Sequence, residues 1–235
     1  MDQLEAFAAF LAFGAGIDWA DELHGYDWNG NWRAGIDKRF EHHAMISAAL
    51  GPAAHPDEFA AAAETIRTWG GIRARIQLPD LVAFRNSSVV LAGGPAGIGL
   101  DDARVAGVRI ATASKIYGAV DPRVWSIYDS RVGRELQRRV RQHVQLPADI
   151  APPAALQFKM PPPQGNPPPP APDPTVRVMT TPAQGRRGFL RASHVFRRVA
   201  SMLRGNGGLP IGLHHVDQTW QAYHIEMAMF AMGVP

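Results

Sequence analysis

"GVRIATASKIYGAVDPRVWSIYDSRV" occupies residues 107–132, and the fold turns on how it is read. A glycine turn at Gly107 leads into a helix-compatible run. Asp121-Pro122 then stops that helix, because proline disfavours helical backbone at the residue before it. "VWSIYD" returns the chain, and Asp129 stands where a helix N-cap would stand, ahead of a run with helical spacing. The unit reads as turn, helix, break, helix. It sets Lys115 before the break and Asp129 after it.

The flanking sequence is expected to be helical as well, and the fold class mainly α. Residues 2–13 form an Ala- and Phe-rich helix, and residues 36–50 a helix ended by Gly51-Pro52. "PDEFAAAAETIRTWGG" has proline at its start, acids in the first turn and two glycines as its stop, a strong helix signal. Residues 79–85 and 87–92 read as short helix or strand, and 102–106 as a short helix. Further helices are expected over 129–144, 188–204 and 215–232. Between them, eleven prolines fall in 152–174. That density excludes helix and points to a polyproline connector. "ALQFKM" inside it carries apolar side chains that pin it to the protein surface.

Composition narrows the chemistry. The chain has 235 residues, 46% hydrophobic and 19% charged, which is enough for a real core. No cysteine is present, so disulfides, thiol catalysis, Cys-type zinc sites and iron–sulfur clusters are excluded. No apolar run is long enough for a membrane span, and the acidic N-terminal stretch does not suit a secretory signal. A cytoplasmic location is expected.

Only Lys38, Lys115 and Lys159 are lysines among 24 basic residues, and the formal net charge is only +3. Arginine fits phosphate in bidentate fashion, although a GC-rich genome gives the same bias. Arg131, Arg134, Arg138, Arg139 and Arg141 crowd one segment, and Arg186, Arg187, Arg191, Arg197, Arg198 and Arg204 another. The clusters read either as a polyanion-binding face or as two solvated helix faces.

"VVLAGGPAGIGLDD" (89–102) has the look of a dinucleotide-binding turn. Such a turn needs a helix straight after its glycines within a βαβ unit. Here Asp101 and Asp102 follow instead, so nucleotide-cofactor binding is the weaker reading. The pairs His42-His43 and His214-His215 lack a carboxylate at ligand spacing and read as surface or core histidines; no metal is expected.

Val105-Ala106-Gly107-Val108-Arg109-Ile110-Ala111-Thr112-Ala113 resembles the hairpin of the helix-hairpin-helix DNA glycosylase superfamily, in its bacterial 8-oxoguanine-DNA-glycosylase branch. The likeness continues through "SKIYGAVDPRVWSIYDSRV", with 22 residues from the hairpin glycine to Asp129. "IRTWGG" and the C-terminal "WQAYHIEMAMFAMG" also look like that branch. The resemblance implies one glycosylase-like helical unit over 1–235, with the hairpin, helix and catalytic aspartate in 107–132, a Pro-rich connector over 151–175 and C-terminal helices over 186–235. It implies base flipping and glycosidic-bond hydrolysis on duplex DNA, in repair or in phage defence. Asp129 would be the catalytic carboxylate, and a non-catalytic protein that kept the hairpin is the alternative. Gly107, Val108, Arg109, Thr112, Arg131 and Arg134 would bind DNA. Trp125, Tyr128 and Trp220 would line a base pocket, and a monovalent cation would sit on the hairpin carbonyls.

Two positions depart from the family pattern. Arg109 replaces the second hairpin glycine, where a negative φ would keep the turn and Arg109 itself could meet the phosphate. Ala111 stands where lyase-type relatives carry their nucleophilic lysine. This register favours a water-using enzyme. Lys115, one turn further on, is a candidate nucleophile, a phosphate contact or an ion-pair partner of Asp129.

Overall fold

The computed structural model of the chain describes residues 2–28, 30–147, 150–162 and 176–233. These form nine α-helices: α1 (Gln3–Ala9), α2 (Trp19–His24), α3 (Trp32–Ala49), α4 (Pro56–Trp69), α5 (Leu78–Ala92), α6 (Ile110–Val120), α7 (Ser130–Val144), α8 (Pro182–Gly205) and α9 (Ala222–Met232). No helix among them is long and apolar enough to cross a membrane.

Two of the helices are mostly apolar and enclosed on all sides. Every residue of α6 from Thr112 to Val120 is buried, as is every residue of α9 from Ala222 to Phe230. Other helices wrap them: α3, α4, α5 and α8 pack on α6, α2, α7 and α8 pack on α9, and α1 packs on α8. The 121–129 segment lies in contact with both central helices.

Several boundaries differ from the sequence expectation for local reasons. The first helix changes at Phe10 into a π-helical turn that runs to Gly14. α3 starts at Trp32 because Asn31 caps it through the Ala34 N–H. Residues 78–92 are a single helix, α5, and 102–106 form turns rather than a helix. α8 starts at Pro182, where the Thr181 hydroxyl accepts from the Gln184 N–H. The expected 215–232 helix is confined to α9.

The 89–102 stretch is not set in a βαβ unit among the described residues. Its first residues are the end of α5, and no strand lies among the described residues. Asp101 is bound by Arg186 and Arg187, and Asp102 by Arg104.

"ALQFKM" is pinned by its apolar side chains as expected: Leu156, Phe158 and Met160 are buried, while Gln157 between them is exposed. Phe158 packs against Phe7 at 5.9 Å between ring centroids, and Met160 pairs with Val178 in an isolated parallel bridge. Residues 163–175 of the Pro-rich 151–175 connector lie outside the described residues.

Candidate functional site

The site is built where the chain returns from α6 to α7. The Asp121 carbonyl accepts from the Trp125 N–H at 2.8 Å, which tightens the turn at Pro122. Ser126 is then held to Ser193 of α8, through Oγ–Oγ at 2.9 Å and its own N–H at 3.1 Å. The Ile127 N–H reaches Glu226 Oε2 of α9 at 3.4 Å. The Tyr128 N–H donates to Ser114 Oγ of α6 at 2.9 Å. Three successive residues are thus fixed to three helices, and Asp129 follows with little freedom.

Asp129 caps α7 with one oxygen. Its Oδ1 accepts from the N–H groups of Arg131 and Val132 at 3.0 and 3.1 Å. Its Oδ2 faces Lys115, whose Nζ lies 3.8 Å away. The ammonium also donates to the Ala111 carbonyl at 3.2 Å. Burial holds the Lys115 pKa below the usual lysine range; Asp129 and Glu226 pull it up, and Arg39 pushes it down. The lysine stem passes over Gly70, where a β-carbon would collide with it.

Asp129 and Lys115 line one pocket with Ile127, Arg39, Glu226 and the rings of Tyr26, Trp28, Trp69 and Phe230. Its volume is about 10 Å³, room for one water at most. Trp28 and Trp69 are the half-buried rings of its wall. In the wall of the pocket, Arg39 and Glu226 form a buried ion pair at 2.7 Å.

The hairpin is a turn at Val108-Arg109 leading into α6, and no side chain caps that helix start. Arg109 occupies the left-handed region at φ 45°, ψ 45°, so the negative φ expected there is corrected. Its guanidinium is engaged by Asp80 at 3.0 Å and by the Arg75 carbonyl at 3.2 Å. Gly107 is glycine because α8 passes directly over it: a β-carbon would collide with the backbone of Pro182 and Arg186. Val108 is half-buried at the tip.

The hairpin also borders a cleft of about 300 Å³, walled by Pro161, Pro162 and Met179–Pro182. The hairpin carbonyls already have neighbours. The Ala106 carbonyl accepts from Tyr117, the Arg109 carbonyl accepts from Thr112 and Ala113, and the Gly107 carbonyl abuts Gly185.

Other expected site residues lie elsewhere. Thr112 is buried on the inner side of α6, where DNA cannot reach it. Trp125 and Tyr128 are buried and lie outside the Asp129 pocket: Trp125 donates to the Leu91 carbonyl and Tyr128 to the Lys159 carbonyl, while Trp125 also borders a separate cleft of about 370 Å³ with Leu190, His194 and Arg197. Trp220 is buried and donates to the Gly208 carbonyl. The pocket rings are instead Tyr26, Trp28, Trp69 and Phe230. His42 is buried against Trp69, His43 meets the Ala119 carbonyl, His214 the Leu209 carbonyl and His215 Asp37. No group that could hold a metal ion occurs among the described residues.

The arginine clusters are largely engaged inside the protein. Arg138 and Arg139 bind Glu135, Arg198 binds Glu5, and Arg191 donates to the carbonyls of Ala154 and Ala155. Arg131 stacks over Phe230 at 4.6 Å, at the edge of the pocket. Arg134 is half-exposed. Arg73 and Arg75, outside both clusters, are exposed on the α4–α5 loop. That loop runs from Gly71, which touches Trp28, to the Arg109 contact. Comparison with protein-family models, curated proteins and solved structures gives no match to this chain.

Proposed function

We propose that the chain is a DNA glycosylase of helix-hairpin-helix type, which flips a damaged or modified base out of duplex DNA and hydrolyses its glycosidic bond. One observation carries the reading. The Asp129 oxygen not used by the α7 cap faces Lys115 in an aromatic-walled pocket. Arg131 stands at the edge of that pocket, over Phe230, and the exposed Arg73 and Arg75 lie on the loop that carries the Arg109 contact. Glycosidic cleavage passes through an oxocarbenium-like state, and a carboxylate beside the anomeric carbon stabilises that charge. Water then adds at the anomeric carbon, giving its proton to Asp129 as the base leaves with the glycosidic electron pair. Flat side chains clamp an extruded base, a role that Trp28 and Trp69 fit here.

Lys115 stays the candidate for lyase chemistry. Burial increases the neutral fraction of its amine, the form that attacks an anomeric carbon. Register sets it one turn beyond the family position. Borohydride trapping decides: an adduct that disappears in Lys115→Ala assigns the nucleophile, and an adduct that survives excludes it.

The main test is release of free base from duplexes carrying 8-oxoguanine, uracil, alkylated bases or hypermodified cytosine. Product is expected with the wild type and none with Asp129→Asn. Full activity in that variant removes the mechanism. The small pocket volume favours one second reading, a DNA-binding module without chemistry. It expects salt-dependent duplex affinity and no abasic product from any duplex.

A further inference from the structure

The Arg39–Glu226 pair is more than a buried ion pair. Glu226 sits on α9, an otherwise apolar helix, and is 1% exposed; Arg39 of α3 is 4% exposed. Arg39 Nη1 meets Glu226 Oε2, which also receives the Ile127 N–H. That leaves one atom on each side chain without a partner among the described residues. Glu226 Oε1 is a buried acceptor with no donor, and Arg39 Nε a buried donor with no acceptor. Leaving such a group unsatisfied carries the desolvation penalty of that group, and more when it is charged. A buried ion pair is often no better for stability than apolar side chains of similar volume. The arrangement is therefore poorly explained by stability alone.

Both residues line the pocket that holds Asp129 and Lys115. The pocket wall thus includes two side chains that each keep an unpartnered polar atom, one an acceptor and one a donor, beside aromatic rings. A nucleobase presents the matching pattern on its hydrogen-bonding edge, an N–H beside an oxygen or nitrogen acceptor.

We infer that Glu226 and Arg39 read the flipped base: Glu226 Oε1 accepts from an N–H on its edge, and Arg39 Nε donates to the neighbouring acceptor. This rests on the glycosylase reading for its substrate, but not for its test. It assigns the specificity of the pocket to two residues 187 positions apart in sequence. It also defines the substrate class, a base that keeps both a free N–H and an adjacent acceptor.

Ligand-detected NMR titration of the intact protein with nucleosides provides the test. Four pairs are compared: deoxyguanosine with its 1-methyl form, deoxyuridine with its 3-methyl form, deoxyadenosine with its N6,N6-dimethyl form, and deoxycytidine with its N4,N4-dimethyl form. In at least one pair the parent is expected to bind about tenfold or more tightly, the scale of one lost hydrogen bond in a buried site. The double variant Arg39→Met/Glu226→Met preserves the apolar volume, and its folding is checked by its melting temperature. It is expected to lose that preference.

Equal binding within all four pairs, or binding of none, overturns the inference and leaves the two atoms holding only a water. A preference that survives in the folded double variant overturns it equally. Should that variant fail to fold, the wild-type ratios decide alone. Base-release assays separate the two readings. Discrimination without abasic product removes the glycosylase reading and leaves this one. Abasic product with equal turnover of a parent base and its methylated form does the reverse.

Discussion

At the scale of single residues, two positions determine how the hairpin unit works. Arg109 is a non-glycine residue in left-handed backbone at φ 45°. That conformation costs an L-residue about 1–2 kcal/mol. Asp80 and the Arg75 carbonyl hold the side chain and offset part of it. Arg109→Gly and Arg109→Ala remove the same contacts, but only alanine keeps the strain. The glycine variant is expected to be more stable than the alanine variant by about 1 kcal/mol. Equal midpoints in urea denaturation would mean that the backbone there is not left-handed. Gly70 is the second position. Its φ of −69° suits alanine, so the main obstacle to a methyl group is the Lys115 stem. Gly70→Ala is expected to destabilise by about 1–3 kcal/mol, as overpacking does. In a Lys115→Ala background the penalty should vanish, because the two effects share one contact. A penalty that persists there would place the lysine stem elsewhere.

At the scale of elements, the determining contact is α8 against the hairpin. Gly107, Gly185 and Gly188 each replace a side chain that would meet backbone or ring atoms: Pro182 and Arg186 at the first, the Gly107 carbonyl at the second and the Tyr128 ring at the third. Gly188→Ala should cost about 1–3 kcal/mol and Gly107→Ala at least as much, measured by denaturant unfolding. Neutral substitutions at both would remove this close approach. Part of this was legible. Asp-Pro and the Asp129 cap are local signals, and α6 ends and α7 begins as the sequence reads. The reason for Gly107 was not legible, since the helix that demands it begins 75 residues later. Trp125 and Tyr128 suggested a pocket because they neighbour Asp129 in sequence. Their rings turn into the core, while the pocket rings come from α4, α9 and the loop after α2. α5 read as two short pieces because its apolar residues follow no single helical face: Leu78, Val82 and Val89 point to solvent while Ser87 and Ser88 are buried. Arg39 and Glu226 had no sequence signal beyond one acid in an apolar helix.

At the scale of the whole molecule, burial of ionisable groups ties stability to pH. His42 and His224 are both enclosed, and burial pulls their pKa values down to about 4 and about 3. In the unfolded chain both titrate near 6.5. Below that value the unfolded state binds protons that the folded state refuses, so stability falls as pH falls. The contribution of His42 is fully present above pH 6.5 and is lost progressively down to about pH 4. A tenfold difference in proton affinity between the two states corresponds to about 1.4 kcal/mol, so the loss at His42 is at most about 3 kcal/mol. The melting temperature of the wild type should therefore drop steeply between pH 6.5 and 4, before most carboxylates protonate. His42→Leu removes one titrating group together with a buried nitrogen that has no partner among the described residues. It should flatten that slope while changing stability little at pH 7.5. An unchanged slope would mean that His42 reaches water in the folded protein. Because His42 packs on Trp69 at 4.9 Å, such an outcome would also mean that the pocket wall opens readily, which a pocket of about 10 Å³ must do before it admits a base.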